Sequence, residues 1–510
     1  MRTGSFGQMP VSYWIDSTPE TEFPALSGEV RVDVAVLGGG ITGLTAATLL
    51  KEAGKTVALV EARRIVRGVT GYTTAKVTAG HGLIYDDLTQ SFGERGARIY
   101  AHANQAAIEH IASWVEQRGI SCDFERATNY VYSEEAKDVE RMQREADAAS
   151  RAGLPASFVR EVPLPFDVQG AVALTGQAQF HPRKYLLPLA QALPGDGSHV
   201  LEQTRATGVS RGRPARVETP RGVVVADHVF LATHIPFLDR GLFFAKAHPH
   251  RSYAITAPID PARAPEGMYI NAGTPSRSIR TVRRDGEPLL LIGGDGHKPG
   301  EEPDTEQRYR NLETFMRDRF GIESEVTHRW STQDYMSVDR VPYVGRLTRR
   351  AGNLYAATGF GKWGLTNGTV AALIVSDAIL GRENEWAELF DAQRLKPRAA
   401  ARRFTSENAK VAWRFFADRV RTDDSDRLAR LQPGQGAVVR RGTELVAVSR
   451  DDAGELTGVS AICTHLRCVV AWNTAERSWD CPCHGARFLP DGTLIQGPAT
   501  RDLEPKSLPD

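Results

Sequence analysis

Residues 32–43 read Val32-Asp-Val-Ala-Val-Leu37-Gly38-Gly-Gly40-Ile-Thr-Gly43. The stretch opens as an apolar run of strand-forming types and passes directly into glycines. A helix through Leu44, Ala47 and Leu50 is expected next, with a stop at Gly54. A second strand, Thr56 to Val60, ends at Glu61. Strand, glycine turn, helix, strand and acid in that order make the dinucleotide-binding fingerprint. Gly38 permits the tight turn, Gly40 lets the backbone approach a pyrophosphate, and Gly43 lets helix and strand pack closely. The helix start offers free amides to an anion, and Glu61 is placed to accept hydrogen bonds from ribose hydroxyls.

The other end of the chain carries a second signal. Four of the five cysteines fall in Cys463-Thr-His465-Leu-Arg-Cys468 and Cys481-Pro-Cys483-His484-Gly485, with Gly497-Pro498-Ala499 just beyond. Two loops that each offer a thiolate and an imidazole suit an iron pair with sulfur on one iron and nitrogen on the other. They also satisfy a tetrahedral zinc ion. The loops resemble the Rieske [2Fe-2S] domain. That resemblance implies Cys463 and Cys481 on the inner iron, His465 and His484 on the outer one, and a disulfide between Cys468 and Cys483. It gives a role to the extra cysteine of each loop and to the Gly-Pro-Ala segment, which zinc does not. The fifth cysteine, Cys122, reads as a buried, inert thiol.

Three further stretches resemble the D-amino-acid oxidase and glycine oxidase superfamily. They are Phe230-Leu-Ala-Thr-His234, then Trp330-Ser-Thr-Gln-Asp334 leading through Asp339-Arg-Val-Pro-Tyr-Val-Gly345, and Asn353-Leu-Tyr-Ala-Ala-Thr-Gly359-Phe-Gly361-Lys-Trp-Gly364-Leu-Thr366. The resemblance covers roughly residues 30–385 and implies FAD as the dinucleotide. It adds Thr233, Asp339, Gly359, Gly361, Gly364 and Thr366 to Gly38, Gly40, Gly43 and Glu61 as cofactor-binding residues. No cysteine lies near Gly359–Gly364 and no histidine flanks the glycine turn. The common covalent flavin linkages therefore lack their residues, and dissociable FAD is expected. Hydroxyls in Thr70-Gly-Tyr72-Thr-Thr74-Ala-Lys76 are further candidates for bonding the cofactor.

The fold class expected is an α/β FAD-binding domain, Rossmann-like and of glutathione-reductase type. An α+β substrate domain is interleaved with it, and a small all-β Rieske domain follows. An N-terminal extension covers 1–30 and the flavoprotein 31–395. Its FAD-binding segments are about 31–90, 155–240 and 340–385, and its substrate segments about 91–154 and 241–339. Apolar spacing at Ala103, Ala107, Ile111 and Val115 predicts an amphipathic helix over 94–118, and a second helix is expected over 135–151. Short β-rich runs in 199–231 and 251–295, broken by Gly and Pro, suit an antiparallel sheet. Residues 396–426 form the linker, with a basic run from Arg394 to Arg403 and a helix from about Thr405 to Arg421. The Rieske domain takes 427–510, its strands beginning near Gly436.

A chain of 510 residues with net charge +1, 41% hydrophobic and 25% charged residues is ordinary for a globular protein. It predicts no pull toward nucleic acid or acidic membrane. No apolar run is long enough to span a bilayer, and Met1 to Ser17 lacks an apolar core behind basic residues. A cytoplasmic protein is expected, although the cytosol keeps thiols reduced.

The two cofactors together predict a dehydrogenase. It oxidises a small amine or amino acid on FAD and passes electrons singly through the cluster to an external acceptor. Two alternatives stand beside it: a reductive or oxygen-activating flavoenzyme fed by an external donor through the cluster, and a redox carrier or sensor with no substrate. Arg251, Arg277, Arg280 and Arg340 are candidate carboxylate clamps, with Tyr253 and Tyr335 as walls. Lys362 is the candidate catalytic cation. By resemblance, high-potential clusters have a Ser after His-Gly and a Tyr two residues later, where this chain has Ala486 and Phe488. Arg467 pulls the other way, as a cation favours the reduced cluster. A potential in the lower half of roughly −150 to +300 mV is expected.

Overall fold

The structure is a computed structural model that describes residues 10–301, 304–394, 428 and 430–508. The fingerprint strand, Gly28–Leu37, lies at the centre of an eight-stranded sheet. Parallel neighbours are Gly222–Leu231 on one side and Val57–Val60 on the other, with Leu354–Thr358 and His199–Leu201 beyond them. Tyr343–Arg346 closes one edge antiparallel. Parallel strands covered on both faces need continuous apolar sequence, and Val34, Val36, Val57 and Leu59 are fully buried. The helices Ile41–Glu52 and Gly364–Leu380 pack against each other on one face, and both are buried along most of their length.

A second, nine-stranded sheet carries the interleaved domain, ordered from His328–Ser337 through Ala247–Pro258, Glu287–His297, Arg277–Arg284, Met268–Asn271, Glu125–Ser133 and Gly170–Gln179 to Lys76–Val77. It is antiparallel except where Met268–Asn271 runs parallel to Glu125–Ser133. Three strands differ from the expected segments. Lys76–Val77, Ala156–Val159 and Gly170–Gln179 fall in stretches expected for the FAD-binding part, yet all three belong to this second sheet. Gly170–Gln179 pairs with Glu125–Ser133, and the other two pair with Gly170–Gln179; alternating strand sequence does not distinguish one sheet from another. The run 199–231 differs as well, since His199–Leu201 and Gly222–Leu231 enter the first sheet in parallel pairing.

The helix expected over 94–118 runs from Tyr85 to Gln117, with a kink at Gly93 (φ 73°). Its earlier start is capped from outside. The buried carboxylate of Glu145 accepts the backbone N–H groups of Ile84, Tyr85 and Asp86 at 2.7–3.0 Å, which satisfies donors that a helix start otherwise leaves orphaned. Glu145 itself sits on Val139–Arg151, the second expected helix, which a 3-10 turn over Ala136–Asp138 shortens.

The C-terminal module is all β: a three-stranded sheet of Gly436–Arg441, Glu444–Arg450 and Leu456–Ser460, and a four-stranded sheet from Ala471–Asn473 to Leu494–Gln496. The linker helix expected from Thr405 to Arg421 and most of the basic run lie outside the described residues. Among the described residues, no helix is long and apolar enough to cross a membrane.

Candidate cofactor sites and the seam between them

The glycine turn is built as tightly as its sequence requires. A Cβ on Gly43 would stand 1.9 Å from the Gly38 carbonyl oxygen, and one on Gly38 (φ +112°) 2.4 Å from that of Ala232. The helix that starts at Ile41 has no side-chain cap, so its start is open to an anion. The amide of Ile41 donates to Thr70 Oγ1 at 3.2 Å. Glu61 accepts from the amides of Gly39 and Arg63, each at 2.8 Å. Burial raises its pKa, and those two amides oppose the rise.

Gly38, Gly40 and Glu61 open onto one cavity of about 430 Å³. Thr70, Tyr72, Thr73, Thr74 and Lys76 also line it, as do Thr233, Lys362 and Gly364. The helix starts at Ile41 and Gly364, neither capped by its own N-cap side chain, the acid Glu61 and a row of hydroxyls fit a dinucleotide. FAD would be held by these residues.

Other expected residues stand behind the wall. Gly43, Gly359, Gly361 and Thr366 do not line the cavity. Gly359 and Gly361 take positive φ in the turn that carries Lys362, and Thr366 donates to the Thr78 carbonyl at 3.0 Å. Asp339 is also away from the cavity. Its carboxylate forms a two-point pair with Arg394 at 2.7 and 2.9 Å, which makes it a framework residue for the turn at Val341 in this structure.

Lys362 adopts φ 74°, a conformation that a residue with a side chain rarely takes. Asp334 helps hold it there, accepting the Lys362 amide on Oδ2 at 2.6 Å. The side chain is accessible from the cavity it lines. The protein packed around it lowers its pKa to about 8 against the opposing pull of Asp334. The expected arginine clamps are all engaged elsewhere. Arg251 pairs with Asp480 at 2.7 Å, Arg277 with Asp295 at 2.9 Å, and Arg340 with Asp87. Arg280 donates to the carbonyls of Thr74 and Ala75 at 3.1 and 2.5 Å. Tyr253 bonds His297 at 2.9 Å. Cys122 is buried, and burial pushes its thiol up to about 12.

The cysteine loops meet at the tip of the C-terminal module. Cys463 and Cys481 are buried and hydrogen-bond each other through their thiols. The amides of His465 and Leu466 point at the first sulfur, and those of Cys483 and His484 at the second. Nδ1 of His465 and Nδ1 of His484 are buried without a protein partner, and the two rings lie 5.1 Å apart. Buried polar atoms without partners call for an explanation, and an iron on the nitrogen side supplies one. Cys468 and Cys483 form a disulfide. Their sulfurs lie within 4.8 Å of the Cys481 sulfur, but being joined to each other they leave Cys463 and Cys481 as the free thiols of the loops. The residues fit a [2Fe-2S] cluster held by Cys463, His465, Cys481 and His484.

The sequence did not reveal which way this tip faces. Both imidazoles are covered by the flavoprotein part. Asp239 Oδ1 lies 2.9 Å from His465 Nε2, and the Phe244 ring packs on both histidines. Tyr335 donates its hydroxyl to the His484 carbonyl, and Gln333 its amide to the Gly485 carbonyl, each at 2.7 Å. Tyr335, expected to form a substrate wall, serves the cluster loop instead. These two residues belong to the strand His328–Ser337, whose Trp330, Ser331, Thr332 and Asp334 line the cavity. One strand thus serves both sites. His234 (φ 70°) sits beside it and bonds Asp334 at 2.8 Å. In the sequence His234 and Asp334 stand only at the ends of Phe230–His234 and Trp330–Asp334, with no signal of their own.

Comparison with known proteins agrees with this arrangement. The family model for FAD dependent oxidoreductases matches residues 33–378, and that for the Rieske [2Fe-2S] domain matches residues 424–507. The protein YhfW of Bacillus subtilis (strain 168), named as a Rieske 2Fe-2S iron-sulfur protein, is 36% identical over 98% of this chain and 97% of its own length. The gamma-glutamylputrescine oxidoreductase of Escherichia coli (strain K12) is 25% identical over 72% of this chain and 88% of its own. The solved glycine oxidase from Geobacillus kaustophilus shares the fold, with a TM-score of 0.60 at 18% identity over 72% of this chain and 99% of that one. An open dinucleotide cavity and a tip of paired thiols and imidazoles, joined by one strand and matched along nearly the whole chain, make this protein a member of the FAD dependent oxidoreductase family that carries a C-terminal Rieske [2Fe-2S] domain.

Proposed function

We propose that this oxidoreductase oxidises a small amine or amino acid at its C–N bond and passes the electrons singly, through the cluster, to an external acceptor. FAD supplies a two-electron acceptor that releases electrons one at a time, and a Rieske cluster carries one. The observation that carries the reading is the shared strand. Gln333 and Tyr335 hold the His484–Gly485 turn by its carbonyls, while Ser331 to Asp334 line the cavity. Electrons exchanged between the two sites would cross one layer of protein.

An amine is supported over a substrate that needs a bidentate carboxylate clamp, because Arg251, Arg277, Arg280 and Arg340 already have partners. The Escherichia coli relative is named for gamma-glutamylputrescine, which also favours an amine. Lys362 would place positive charge beside the reacting end of the cavity, where developing negative charge is stabilised by a preorganised cation. An anaerobic panel of amines and amino acids tests the proposal. The true substrate bleaches the flavin absorbance, and the signal of the reduced cluster then grows. A cluster that stays oxidised on the turnover timescale defeats it.

A further inference from the structure

Residues 494–500 of the iron–sulfur module touch both cofactor sites. On one side, Ala499 packs in the apolar cluster that contains Cys463 and Cys481. On the other, Ile495, Gln496, Gly497, Ala499 and Thr500 line the same cavity as Gly38, Gly40 and Glu61. Two hydrogen bonds fasten this strip to the flavoprotein, one through Arg205 and one through His234. Arg205 Nη2 donates to the Leu494 carbonyl at 2.8 Å. Arg205 interacts with Glu61 in the flavoprotein and with Asp502 of the module, and both charges oppose the fall in its pKa that burial causes.

Gln496 Nε2 lies 3.0 Å from His234 Nδ1. An amide N–H₂ only donates, so Nδ1 accepts and Nε2 carries the ring proton. Nε2 then donates to Asp334 Oδ1 at 2.8 Å, and Asp334 Oδ2 takes the Lys362 amide at 2.6 Å. The strip is therefore tied to the turn that places Lys362 at the cavity wall. Electron transfer alone does not call for these contacts, since Gln333 and Tyr335 already seat the cluster loop.

We propose that residues 494–500 form a wall of the FAD site, so that seating the iron–sulfur module locks the nucleotide in. A dissociable flavin is held by what must move before it leaves. Here that includes the strip, and the strip is braced from behind by the cluster loops. FAD retention then depends on the docked module and on an intact cluster. The proposal rests on both cofactors being bound and not on electrons passing between them. A protein that holds both but never reduces its cluster overturns the function proposed above and leaves this one standing.

The test uses full-length holoprotein diluted into FAD-free buffer. Flavin release is followed by the return of its fluorescence, and the cluster by its electron paramagnetic resonance signal. Gln496→Ala with its cluster signal intact is expected to release FAD about tenfold faster, which corresponds to about 1.4 kcal/mol. Wild-type protein stripped of iron by reduction and chelation is expected to release it faster still. If Gln496→Ala loses the cluster signal, the iron-stripped wild type decides alone. FAD release unchanged in the iron-stripped protein, or unchanged in Gln496→Ala with its cluster intact, overturns the proposal.

Discussion

At the scale of single residues, the cluster site is defined as much by what Ala486 and Phe488 lack as by its ligands. Both side chains are fully buried beside the cysteine loops, and neither carries a hydroxyl. The sulfurs are served by backbone amides from His465, Leu466, Cys483 and His484, and the nearby Tyr335 hydroxyl is committed to the His484 carbonyl. A hydrogen bond to a charged acceptor contributes about 1.5–3 kcal/mol, and about 1.4 kcal/mol corresponds to 59 mV for one electron. Ala486→Ser should therefore raise the cluster potential by up to roughly 65–130 mV. A redox titration followed by electron paramagnetic resonance checks this, and an unchanged or lowered midpoint would count against the assignment of this site. Only the difference between oxidised and reduced states is read, so the figure is a ceiling.

At the scale of elements, the edge strand His328–Ser337 and its neighbour Ala247–Pro258 form the seat for the module. Arg251 and Asp480 pair across the seam with both side chains almost fully buried. Burial alone would raise the Asp480 pKa, but Arg251, Arg487, Asn473 and Ser478 hold it below the usual carboxylate value. A depressed carboxyl contributes stability that is present above the unfolded value of about 3.9 and lost as pH falls through the folded one. The pair is thus intact at neutral pH. Removing one partner of a buried pair costs about 3–5 kcal/mol, because the other charge is left without compensation. Arg487 still faces Asp480 at 3.2 Å, so Arg251→Met should fall at the lower end of that range. The expected readout is thermal unfolding in which the cluster's visible signal is lost before the flavoprotein melts. Coincident transitions at the wild-type temperature would show that the pair does not hold the seam.

Elements also show how far the chain could be read without coordinates. The turn from Gly38 to Glu61 and the two cysteine loops were legible because each is local. Backbone approach, ligand spacing and disulfide partners lie within a few dozen residues of one another. Asp339 lies in a stretch that resembles one near the flavin, and its pairing with Arg394, 55 positions away, could not be read from that stretch. The seam was illegible for a related reason. Tyr335 and His484 are 149 positions apart and Arg251 and Asp480 are 229 apart. Nothing in a lone tyrosine or arginine tells whether it meets substrate, sheet or another module.

At the scale of the whole molecule, the orientation of the module has a kinetic consequence. Imidazole ligands are the outer edge of such a site, and here Asp239, Phe244 and Tyr335 cover them from within the same chain. A second molecule would have to displace these contacts before its own cluster could reach the cavity wall. Joining two reaction partners in one chain replaces a concentration with a fixed effective molarity. Cluster reduction after substrate addition should therefore follow a first-order rate that does not change across a hundredfold range of protein concentration. Stopped-flow absorbance at several dilutions measures it directly. A rate that climbs in proportion to protein would mean that electrons cross between molecules, and the seat formed by Gln333 and Tyr335 would then be a resting position and not the working one.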